Sequence, residues 1–323
     1  MRSKFTLLTA ALLIVFAITQ CTKKKSDPVT EEETPATASG ANSVADIIAA
    51  NGSAVNTVTV DATLPTTLTI NGIIYEIPAN AFKTASGGTV GGVVSLQAKT
   101  ITTKSQVIFS GAGANSSNSK LVVTKGCIKS TATQNSQSLR MNGSGNFFVN
   151  VPDIGTSPPP MKKYYAPKVT ATDSSIYWSL GTDITDIAQQ TFTSNPGVTY
   201  HRASLDTLNW LNVGVQDNNP APKTAVTVSI TSSSFTKANT LVYLSFNGSL
   251  TVGALFEIAP NVFRISNMPQ GQAANIVAIA AINGQYYCTI MPYTVPAPGA
   301  PTVNLTMQAV SQSSMQTMVA ALP

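Results

Sequence analysis

An all-β fold is predicted: two β-sandwich domains behind a secretion signal and a tether. Three observations carry this. Short runs alternate apolar residues with Ser, Thr and Asn, the period of a half-buried strand. Turn signals, among them Asn71-Gly72 and Asn283-Gly284, fall between those runs at short spacing. The composition is 43% hydrophobic but only 10% charged, so solubility rests on hydroxyls and amides. That balance suits an extracytoplasmic β protein better than a cytosolic enzyme. The net charge of +5 forms no basic stripe with interleaved aromatics, so nucleic acid is not an expected partner.

Residues 1–20 read as a signal peptide. Arg2 and Lys4 supply the charge, and "FTLLTAALLIVFAI" (5–18) is an apolar run too short to span a bilayer comfortably. The run ends at Ile18-Thr19-Gln20-Cys21, which resembles the bacterial lipobox, with Gln20 where that motif carries Gly, Ala or Ser. The resemblance implies that Cys21 is the lipid attachment site, carrying palmitate-type chains. Each buried CH₂ contributes about 0.8 kcal/mol, and two chains are enough for stable anchoring. The alternative is an ordinary signal cleaved at Ala36-Thr37-Ala38, which lies about twenty residues beyond the apolar run, far for such a cut.

Residues 21–50 read as the lipidated tether. "TKKKSDPVTEEETPATASGANS" (22–43) has no apolar periodicity, carries opposed charge blocks and is expected to be disordered. "VADIIAANG" (44–52) predicts one or two helical turns ending at Gly52. Residues 51–152 form the first β-sandwich, through "VNTVTVDATLPTTLTINGIIYEIPANAF", "GTVGGVVSLQAKTI", "QVIFSGAG", "KLVVTKGCIKSTA" and "GNFFVNVP". Prolines 158–160 open an irregular connecting segment, 153–222, which holds both tryptophans. The second β-sandwich spans 223–310, and Met315, Met318, Val319 and Leu322 at helical spacing predict a short helix in 311–323. "YEIPANAF" (75–82) and "FEIAPNVF" (256–263) echo one another, too briefly to establish a duplication.

"INGIIYEIPANAFKTASGGTVGGVVSLQ" (70–97) resembles a segment of Bacteroidetes envelope lipoproteins in which an "IPANAF" strand opens a ZU5-like β-sandwich. "YWSL", "LNWLNVG" and "VAIAAINGQYYCTI" are similar to the later parts of such chains, which end in an Ig-like or carboxypeptidase-regulatory-like sandwich. The resemblance implies an envelope protein and carries no chemistry. In relatives an acidic and a basic residue follow the tryptophan-asparagine stretch; here Asp217 follows with no base close by in sequence.

Candidate chemistry is sparse. The single histidine, His201, could recruit Ser204 and Asp206 for a hydrolytic triad, but residues so close in sequence rarely converge. Asp183 and Asp186 are the nearest carboxylate pair for glycoside chemistry and read better as turn or helix caps. Asp217-Asn218-Asn219 has oxygen ligands for calcium without the rest of an EF-hand loop, and "GAGANSS" (111–117) is glycine-rich without a P-loop lysine. Cys127 and Cys288 fall in different β blocks and read as two buried free thiols rather than a bond. No catalytic residue, metal or cofactor is expected.

The sequence therefore predicts an outer-membrane lipoprotein, anchored by lipid and open to surface exposure, with a structural or binding role. Its expected partners are the membrane and either a glycan or an envelope protein. The alternatives are a carbohydrate-binding surface lipoprotein and, behind it, a hydrolase. Trp178 and Trp210 are the candidate ligand-binding residues, because a flat indole can stack on a sugar ring. Apolar neighbours on both faces of "LNWLNV" place Trp210 in the core instead.

Overall fold

The computed structural model describes residues 40–118, 120–143, 147–153, 160–166, 177–181, 187–192 and 195–323. Cys21, Asp183 and Asp186 lie outside them. The described residues all belong to one compact unit.

Helix α1 (Val44–Asn51) starts where the sequence places it. Ser43 caps it by accepting from the Asp46 amide, and the Asp46 carboxylate accepts from Asn42 N and Ser43 Oγ, each at 2.8 Å. Strands β1 (Val55–Asp61), β2 (Thr66–Ile70) and β3 (Ile73–Ile77) follow. Asn71 and Gly72 join the last two with φ of 48° and 80°, the left-handed pair that a two-residue hairpin requires. Next come β4 (Phe82–Lys83) and β5 (Val93–Ile101).

"KSQVIF" departs from the strand reading and forms α2 (Lys104–Phe109). The cause is a capping box. Thr103 accepts from the Gln106 amide while the Gln106 side chain accepts from Thr103 N, satisfying two otherwise orphaned donors.

The chain continues through β6 (Val122–Gln134), β7 (Gln137–Ser138), β8 (Arg140–Met141) and β9 (Phe148–Pro152). The segment expected to be irregular supplies β10 (Lys162–Tyr165), β11 (Ser179–Leu180), β12 (Ala188–Phe192), β13 (Asn195–Ser204) and β14 (Trp210–Gln216). Its strands escape the alternation test because several inward positions hold polar side chains, His201 and Lys163 among them. The second block comprises β15 (Lys223–Ile230), β16 (Thr240–Phe246), β17 (Val252–Ala259), β18 (Val262–Pro269), β19 (Ala273–Ile282), β20 (Gln285–Thr294), β21 (Val303–Leu305) and β22 (Gln308–Val310). Helix α3 (Gln312–Ala320) closes it, buried on Met315 and Val319.

The fold is all-β and sandwich-like. One sheet runs β1-β5-β6-β14-β10-β11, with β7 added to β6, and a second runs β12-β13-β9-β3-β2. These two pack face to face around Tyr75, Leu96, Ile128, Val149 and Leu211. The third sheet runs β21-β15-β18-β17-β16-β19-β20-β22. One of its faces encloses Val228, Leu244, Phe263 and Ile276. Its other face packs on the outer side of the first sheet. There Tyr243, Ile279 and Cys288 meet Ile101, Cys127 and Trp210, together with residues of all three helices. Both β blocks thus contribute to one shared core.

The echoed segments end differently. Asn80 and Asn261 are both left-handed, with φ of 58° and 55°. Asn261 turns β17 directly into its partner β18, whereas the chain after Asn80 leaves β3 for β4, which pairs with β8.

Candidate functional site

A part-exposed polar constellation sits on the outer face of the five-stranded sheet. On neighbouring strands β3, β9 and β13, Glu76, Asn150 and Arg202 occupy same-face positions that the register brings together. Arg202 Nη2 donates to Glu76 Oε2 at 2.8 Å and its Nε to Oε1 at 3.2 Å. Asn150, fully buried, donates to Oε1 at 2.8 Å, and Gln190 from β12 does so at 3.2 Å. The guanidinium lies 3.3 Å from the centroid of the Phe148 ring. The Arg202 hydrogen bond, foremost, and those from Asn150 and Gln190 hold the Glu76 carboxyl below its usual range, against the opposing effect of burial. Beside this group, at the open ends of β2 and β3, lies an open groove of about 730 Å³ lined also by Pro65, Thr67 and Pro78.

Two further clusters tie the first sandwich together. Lys125 Nζ on β6 reaches Asp153 Oδ1 at 2.7 Å, and His201 Nε2 approaches the same oxygen at 3.5 Å, all three side chains being buried. Burial depresses the His201 pKa, opposed by the charge and hydrogen bond of Asp153. Elsewhere Lys163 Nζ donates to Ser204 Oγ at 2.8 Å and Asp206 Oδ2 at 3.1 Å, and Tyr165 OH donates to that same carboxylate oxygen at 2.8 Å. The residues weighed for a triad are thus split. His201 and Ser204 are three apart on one strand, so alternation sends them to opposite faces. Asp206 joins Ser204, but the histidine pairs with Asp153.

Trp178 and Trp210 form a core pair instead of a sugar platform. They are 0% and 6% exposed and meet edge to face at 6.4 Å between centroids. Trp178 Nε1 donates to Gly113 O at 2.6 Å. The glycine-rich loop beside them is buried and stitches the two β blocks together. Ala114 N donates to Val252 O at 2.6 Å, while the Asn115 amide accepts from Ala254 N at 2.7 Å and donates to Ala254 O at 3.0 Å. Burial of the indoles had a sequence signal in their apolar neighbours; the role of Asn115 had none, because its partner lies 139 residues away.

Asp217 does find a base. Lys223, across the turn, reaches its Oδ2 at 3.0 Å, and Asp217 Oδ1 accepts from Asn219 N at 3.1 Å. The carboxylate is thereby committed to an ion pair and an Asx turn, which disfavours calcium there. Among the described residues, no three His, Cys, Asp or Glu side chains gather as a metal site, and no helix is long and apolar enough to cross a membrane. Cys127 and Cys288 are free and buried, and desolvation pushes each thiol up to about 12.

No family model, curated protein or solved structure matches this chain.

Proposed function

We propose that this chain is a lipid-anchored outer-membrane protein of a Gram-negative bacterium, displaying its β body in a structural or binding role without catalysis. The observation that carries the reading is Cys21, which closes a signal-like apolar run and opens a charged, proline-bearing tether. The resemblance of residues 70–97 to Bacteroidetes envelope lipoproteins supports the same compartment. So does a hydroxyl- and amide-rich composition. The body receives the tether firmly: Val44 N donates to Ala238 O at 2.9 Å, and Gly284 N donates to Ala41 O at 3.0 Å. A pull on the anchor would therefore act on the eight-stranded sheet.

Detergent phase partition of the wild-type chain and Cys21→Ala tests the anchor. The wild type should enter the detergent phase and take up a palmitate analogue, and the variant should do neither. Equal partition with no labelling of either chain would overturn the reading.

A further inference from the structure

We propose that the groove beside Glu76 and Arg202 binds a neutral, polyhydroxylated ligand, a glycan presenting a vicinal diol. This gives the binding role proposed above a site and a ligand class, and it does not depend on the lipid anchor.

The polar edge of the groove is assembled in advance. The carboxylate accepts four hydrogen bonds, three on Oε1 and one on Oε2, which leaves acceptor capacity at Oε2. A guanidinium carries five N–H groups, and Glu76 engages two of those on Arg202. Both side chains remain part exposed, at 26% and 30%. Asn150 beneath and Phe148 beside them fix the pair's position, so little side-chain entropy is left to lose on binding.

The charge pattern selects the ligand. An anion would gain Arg202 but face Glu76 a hydrogen-bond length away, and a cation would meet the reverse. A pair of adjacent hydroxyls meets both demands, since each hydroxyl donates and accepts. Pro65 and Pro78 provide apolar wall for the C–H face of a sugar ring, and Thr67 adds a hydroxyl opposite Glu76 on the paired strand. The groove, about 730 Å³ and open along its length to solvent, suits a ligand that lies along the surface rather than one that is engulfed. The buried Trp178 and Trp210 take no part.

The test is affinity electrophoresis of the purified full chain through gels containing galactomannan, xyloglucan or mixed-linkage glucan, with polygalacturonate as the anionic comparison. At least one neutral polymer should retard the wild type. Glu76→Gln and Arg202→Gln should each weaken that retardation at least tenfold. Thr67→Trp, which fills the groove from the strand paired with β3, should abolish it while leaving the circular dichroism melt unchanged. That variant keeps the test decisive if the others fold poorly. No retardation by any neutral polymer, retardation by polygalacturonate alone, or retardation that survives Thr67→Trp would overturn the proposal. Failure of the Cys21 experiment would leave this assay untouched, so the two readings fail separately.

Discussion

The core of the first sandwich and the seam between the β blocks are both deeply buried, yet they are built differently. The sandwich core lies between two sheets drawn from residues 55–216, and its members are the inward positions of alternating strands such as β5. At its margins it carries charge, in Lys125–Asp153 and Lys163–Asp206. The seam gathers α1, α2, the 110–116 loop, both tryptophans, β16, β19, β20 and α3 from the whole length of the chain. It is stitched by the Asn115 amide and the Trp178 indole, and by Lys104 of α2, whose Nζ donates to Phe246 O at 2.6 Å and to Pro323 O. In the sandwich the charges sit beside ion partners; at Ala254 a neutral amide satisfies backbone groups without the cost of burying an ion, while Lys104 is held by carbonyls and burial lowers its pKa.

The largest way to break the seam is Trp178→Ala. It removes the most deeply buried large side chain there and leaves Gly113 O without its donor. A loss of about 3–5 kcal/mol is expected in urea denaturation, with the transition remaining single. Two separated transitions would show that the seam does not couple the blocks.

Asn115→Ala is next. It orphans Ala254 N and O, buried backbone groups that the amide serves, and should cost about 1–3 kcal/mol by the same measurement. A change under about 0.5 kcal/mol, the range of an ordinary surface substitution, would mean the loop is not a stitch.

These two residues also mark how far the sequence could be read. The all-β class, the Asn71-Gly72 and Asn283-Gly284 hairpins, α1 and α3 were legible because each rests on local chemistry: a left-handed turn pair, a cap, a period. Helix α2 was missed although its signal was present, in Thr103 and Gln106 three apart, because the apolar run "QVIF" looked like a strand. The regularity of β13 was hidden by His201, a polar residue at an inward position. The seam was not legible, since Asn115 meets Ala254 only after the chain has folded back. The Glu76–Arg202 pairing was hidden for the same reason, spanning 126 residues.

Thr103→Ala removes the α2 cap at the edge of the seam and should cost about 1 kcal/mol in thermal or urea unfolding. An unchanged midpoint would place α2 outside the cooperative unit.

The smallest effect vanishes at neutral pH and concerns the sandwich margin. The His201 pKa is lowered from 6.5, so below that value the unfolded chain binds a proton that the folded chain refuses. Stability should be fully present above pH 6.5 and fall as pH drops towards and through the folded value. His201→Gln should remove that first decline. A second should begin below 4.5, where Glu76, whose folded pKa is lowered, loses its advantage over the unfolded chain. An identical acid profile in the variant would assign the first decline to other groups.

The shared core is the central claim, and its two thiols report on it from opposite sides. Cys127 lies on β6 of the first sandwich and Cys288 on β20 of the eight-stranded sheet, both fully buried in the seam. In the Cys21→Ala chain they are the only thiols left. Pulsed maleimide labelling along a urea series, read by mass spectrometry of the two peptides, measures when each becomes accessible. The account predicts no labelling in the native state and one common midpoint for both cysteines. Labelling of Cys288 while Cys127 stays protected, or the reverse, would contradict it.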